Sequence, residues 1–162
     1  MTIWQQWLGW IENTGIAVTI REALWLYPTL EILHIIGFVV LVGAAAMFDM
    51  RLLGMSGWLP VDATAHHLLR WSHASLLVVV PSGVLLFISD ATEMWANPAF
   101  RVKLMLLAGA GVNAYVFHRW SFRTVGEWNQ GTPTPARAKV AAWISLVLWT
   151  GIIASGRLIA YL

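Results

Sequence analysis

The sequence predicts an all-α integral membrane protein, a four-helix up-down bundle with an N-terminal interfacial amphipathic helix. Three observations predict it. Of the 162 residues, 59% are hydrophobic and 11% charged, less than half the roughly 25% charge of a soluble domain, so the chain cannot cover itself in water. Four apolar segments, about 24–48, 65–88, 100–120 and 137–160, each reach the length a helix needs to cross a bilayer. Trp25, Trp58, Trp95, Trp120 and Trp128 fall at or near the ends of those segments, where an aromatic belt sits.

The first element precedes the spans. Trp4, Trp7, Leu8 and Ile11 recur at helical spacing, so residues 2–14 form one amphipathic helix with tryptophans on its apolar face. Its stretch "MTIWQQWLGWIENTG" has no basic n-region and no small-residue cleavage site, unlike a signal peptide. The connections are 49–64, 89–99 and 121–136, the last broken by "NQGTPTPAR". No repeat divides the chain, and residues 1–162 make a single transmembrane domain.

An even number of spans puts both termini on one side. That side carries Arg21, Arg101, Lys103 and Arg157; the other carries Arg51, Arg70, Arg119, Arg123, Arg137 and Lys139. Six cations against four place both termini outside the cytoplasm of a bacterial inner membrane. The basic residues flank apolar segments and form no run, which excludes nucleic acid as a partner. Cysteine is absent, so disulfides, thiolate metal sites and covalent haem attachment are excluded.

Ionisable residues inside spans are costly and mark candidate sites. In the first span, "EILHIIGFVVLVGAAAMFDMRLLG", Glu31 and His34 share a face. Gly37 and the run Gly43 to Ala46 leave room for a neighbouring helix or a flat cofactor. Asp49 and Arg51 fall in the loop that follows. In the second span His66, Arg70 and His73 form one stripe, with the two histidines ~10 Å apart along the axis. That is too far for both to ligate one iron. Arg70 between them suits a carboxylate or propionate, and Pro81 kinks the helix and frees a carbonyl. In the third span Lys103, Leu107, Gly111, Ala114 and His118 share a face. The fourth span has no histidine.

Depth pairs the histidines as His34 with His73, and His66 with His118 nearer the loops 49–64 and 121–136. Two histidine pairs in a four-helix bundle point to one or two haem b groups with bis-histidine ligation, which suits electron transfer. The cofactor residues are then His34, His73, His66 and His118, with Arg70 and Glu31 beside them.

The stretches "LEILHIIGFVVLVGAAAMFDMRLLG", "RWSHASLLVVVPSGVLLFISD" and "NPAFRVKLMLLAGAGVNAYVFHR" resemble copper-resistance D (CopD)-type membrane domains. The first also resembles HemJ-like haem-binding membrane proteins, and small bacterial four-span proteins share its "YPTLEILHIIG" and "DMRLLG" segments. The resemblance implies a four-helix membrane bundle in which His34 carries a haem or copper function. The sequence departs from HemJ where Val40, Leu41 and "FDMRLL" stand, and its six methionines form no metal-capture tract. The leading expectation is a b-type cytochrome exchanging electrons with quinone or a redox partner protein, as a homo-oligomer or a subunit of a larger complex. Copper binding or transport is the alternative, and a cofactor-free accessory subunit the third reading.

Overall fold

The structure is a computed structural model whose described residues are 3–162. The N-terminal helix α1, Ile3–Glu12, is where the apolar periodicity puts it, with residue 2 outside the described residues. It exposes Trp4, Trp7 and Trp10 and half-buries Leu8 and Ile11. A second short helix follows, α2, Gly15–Glu22, which the single helix expected over 2–14 did not include. Both lie against the end of the second span. Arg21 donates through Nη1 to the Ser89 carbonyl at 2.9 Å and pairs with Glu12 at 3.8 Å. The Thr92 N–H in turn donates to Glu12 Oε2 at 3.1 Å.

Four helices are long and apolar enough to cross a membrane. They are α3, Leu26–Leu52; α4, Val61–Ser89; α6, Pro98–Val116, prolonged by a π-helical turn Phe117–Ser121 and a 3-10 turn Phe122–Glu127; and α7, Ala136–Leu158. A short helix α5, Ala91–Ala96, bridges α4 and α6. The protein is a multi-pass helical membrane protein. Asn97 starts α6 cleanly: its side chain accepts from the Ala99 N–H at 2.9 Å, and Pro98 supplies a preset φ.

The span ends differ from the expectation in one respect that matters. Helix α3 continues through Leu52, so Asp49 and Arg51 belong to the helix and are buried rather than lying in a loop. Arg51 reaches past the helix end: Nε donates to the Leu59 carbonyl at 2.7 Å, and Nη2 to Gly57 and Asn129 at 3.3 and 3.5 Å. One guanidinium thereby ties both loops at this end of the bundle. The Val61 N–H adds a bond to the Asn129 carbonyl at 3.1 Å. Beneath the clamp, Phe48, Leu52, Val61, Ala65, Phe117 and Trp128 form the main apolar core with Ala138 and Ala142.

Helix α3 packs along α4, α6 along α7, and α3 against α7 joins the two pairs. Close approach comes from small residues, the usual device where lipid removes any hydrophobic drive between helices. A Cβ on Gly37 of α3 would stand 2.9 Å from Val79 of α4. Across the other pair Leu148 fits over Gly109, and Leu106 over Gly151. The buried face of α4 carries Ser72, Ser75, Ser82 and Ser89. The hydroxyls of Ser75, Ser82 and Ser89 each donate to a carbonyl of their own helix. At the end carrying the termini α4 and α6 meet through stacked Phe87 and Phe100, 5.4 Å between centroids. At the other end the 3-10 turn bearing Phe122 stands opposite α4, and a groove opens between them.

Candidate functional site

His34 sits at the α3–α4 interface, half-buried, eight residues into α3. Its Nδ1 lies 3.1 Å from the Val79 carbonyl and 3.0 Å from the Ser82 hydroxyl. A carbonyl can only accept, so the bond to Val79 makes Nδ1 the protonated nitrogen and leaves the lone pair on Nε2. Gly83 makes room for the ring; a Cβ there would stand 2.9 Å from His34 Cε1. Phe38 stacks on the imidazole at 6.4 Å and meets Trp149 edge-on at 6.1 Å. Lys103 of α6 lays its Nζ 5.9 Å from the Phe38 centroid, its stem along Gly156. The sequence shows Lys103 as one member of a helical face and one of the cations on the side of the termini; its approach to this cluster is a tertiary fact. Glu31 is exposed one turn before His34.

His73 is not brought to His34. Nine residues separate it from Ser82, ~13 Å along α4 and half a turn around it. The pairing by depth placed the turn at residue 49; with α3 ending at Leu52 and α4 starting at Val61, His34 lies eighteen residues from its helix end and His73 twelve. The mismatch is then ~9 Å, and their faces diverge.

His66, Arg70 and His73 instead line the open groove, of about 810 Å³, with Asp62, Leu69 and Phe122 among its other walls. All three stripe residues are exposed. His118 occupies the π-helical turn, an irregularity frequent at functional sites. Its Nδ1–H donates to the Ala114 carbonyl at 2.8 Å, which again leaves Nε2 with the lone pair. Its ring lies 5.5 Å from Phe122. His118 is thus a neighbour of Phe122, and His66 lines the groove that Phe122 also walls. Among the described residues no three histidine or carboxylate side chains converge as a metal cage would require.

Residues 7–162 match the model of a family described as a family of unknown function, DUF6644. The chain belongs to the DUF6644 family. No curated protein and no solved structure matches it. The features above are thus properties of a DUF6644 chain, and neither CopD nor HemJ enters through these comparisons.

Asp49, like Arg51, is a residue that sequence reasoning misplaced. It is 6% exposed within α3, and its Oδ2 has no hydrogen-bond partner. Its neighbours along the chain, Phe48 and Leu52, belong to the apolar core. The available signal was the helical pattern after Gly43, which meets no further glycine and no proline until Gly54.

Proposed function

We propose that this protein binds a b-type haem in the groove between α4 and the turn after α6, and serves as an electron-transfer subunit in a bacterial inner membrane. The observation that carries the reading is the lining of the groove: His66, Arg70 and His73 with the apolar Leu69 on the α4 wall, and Phe122 on the wall opposite. The groove volume lies within the ~300–1,000 Å³ of cofactor sites. His66, on the groove wall, and His118, beside Phe122 with its Nε2 left free by its own Nδ1–H bond, would hold the haem iron. Arg70, one turn from His66, would pair with a propionate. When bound, the haem supplies reversible one-electron chemistry. A cation beside it favours the reduced form, because reduction brings negative charge into low dielectric.

Copper has less support, since no third ligand converges on either histidine cluster among the described residues. The groove is open, so quinone or a partner subunit can approach it. Six cations at the groove end against four at the other favour the cytoplasmic side for the groove and the outside for both termini.

The test is the reduced-minus-oxidised spectrum of protein purified in detergent. Wild type shows a reducible Soret band, His66→Ala and His118→Ala lose it, and His34→Ala keeps it. Arg70→Gln keeps the band with a lowered midpoint potential. A colourless wild type overturns the reading, and full haem content in His66→Ala overturns the ligand assignment.

A further inference from the structure

Asp49 poses a separate question, independent of the groove. A carboxylate taken out of water costs several kcal/mol or more unless paired. Asp49 is more than nine-tenths buried and Oδ2 touches no donor. The cations near it in sequence are occupied elsewhere, because Arg51 gives its guanidinium to the carbonyls of Leu59, Gly57 and Asn129. Helix α7, packed against α3, brings Ser145 near the carboxyl, nine residues from the start of that helix. Between Lys139 and Arg157 it has no ionisable side chain. Helix α4, on the other side of α3, buries serines, Val61 and Ala65, while its Asp62, His66, Arg70 and His73 face the groove. Beyond α6, His118 and Arg119 are exposed.

A group in this position is either neutral or bound to a cation. A hard metal cation takes about six or more oxygen ligands. Asp49 and Ser145 present two side chains. We propose that Asp49 is a proton-binding site within the bundle, its carboxyl protonated at neutral pH with the Ser145 hydroxyl as its hydrogen-bond partner. Ala142, a turn before Ser145 on α7, shares the buried core with Phe48 and Leu52 of α3, so the two helices pack together beside the carboxyl. The site also predicts a modification: a hydrophobic carbodiimide adds to protonated carboxyls and not to carboxylates, so it should react with Asp49 from the lipid phase.

The experiment treats the full-length protein in lipid nanodiscs with dicyclohexylcarbodiimide and maps the adduct by mass spectrometry. The expected result is labelling at Asp49 at pH 7 that is lost as pH rises. Infrared difference spectra of untreated wild type should show a protonated carboxyl C=O band that Asp49→Asn removes, so the assignment does not rest on the labelling alone. Absence of both the Asp49 adduct and the C=O band overturns the proposal. Protection of Asp49 by NaCl, relative to choline chloride at the same pH, overturns it in favour of a cation site. Haem content plays no part in any of these readouts.

Discussion

His34 and His66 both lie a few residues inside long apolar helices, yet the fold treats them in opposite ways. His34 is enclosed between α3 and α4, with its Nδ1 tied to Val79 and Ser82 and its ring seated over Gly83. His66 stands exposed in a groove wall with Arg70 and His73. A histidine whose surroundings are completed by the protein is a packing element that also carries a lone pair. One whose surroundings are left open is free for a ligand. The same residue type in the same kind of segment therefore divides into structure and site by the face it occupies.

The sharpest way to break this contrast is at Gly83. A Val side chain there collides with the His34 ring, and Gly83→Val should cost about 3 kcal/mol of stability in thermal unfolding in detergent. Combining it with His34→Ala should recover much of the loss, since the two changes share one volume. His73→Ala should stay within about 0.5 kcal/mol of wild type. If His73→Ala destabilises as strongly as Gly83→Val, the division between enclosed and open histidines is wrong.

The next effect lies at the opposite end of the bundle. Arg51→Met removes a charged donor from three loop carbonyls and should cost about 2 kcal/mol, appearing first as faster proteolysis in the 53–60 and 128–135 loops. Arg51→Lys should restore little, because one ammonium cannot span the carbonyls that the planar fork reaches. Unchanged proteolysis in Arg51→Met would remove the clamp from the account.

Smaller still is Asn113, whose Nδ2 donates to the Ala141 carbonyl at 3.0 Å across α6 and α7. Asn113→Leu should cost roughly 0.6 kcal/mol, the usual worth of one interhelical bond in a membrane, measured by the same thermal unfolding.

The smallest effect is pH-dependent and sits outside the spans. Burial raises the Asp90 carboxyl above the usual aspartate range, and the nearby Glu93 and Glu12 raise it further, while Arg21 offsets part of this. The folded protein then holds the Asp90 proton to higher pH than the unfolded chain. Between the ordinary value of about 3.9 and the raised one, stability falls as pH rises, and the loss persists above it. Asp90→Asn should therefore raise the unfolding temperature slightly at pH 7 and leave it unchanged near pH 3. A larger gain at low pH than at neutral pH would contradict the sign.

Much of the fold was legible because the bilayer imposes it. A chain this apolar must satisfy its backbone within helices, and length alone counts the spans. The helix ends were less legible. Asp49 and Arg51 look like loop residues by charge, yet the helical register runs through them to Leu52, and Arg51 is drawn inward by carbonyls from two loops. The Glu12–Arg21 pair and helix α2 were hidden for a similar reason: nothing near Gly15 in sequence reports that Ser89 and Thr92 wait to bond them.

The candidate site was half legible. Spacing alone puts His66, Arg70 and His73 on one face of a helix, because 3.6 residues per turn is a local property. Which face turns inward is not local. It depends on Gly37 meeting Val79, Gly83 meeting His34, and the turn at Phe122 holding a groove open against α4. Sequence by itself determined that this protein lives in a membrane, how many helices cross it and which polar residues share a face, since these follow from burial cost and helical period. Tertiary structure decided that His34 is enclosed, that the groove histidines are open and that Asp49 is buried without a cation. Those outcomes depend on contacts between residues far apart in the chain.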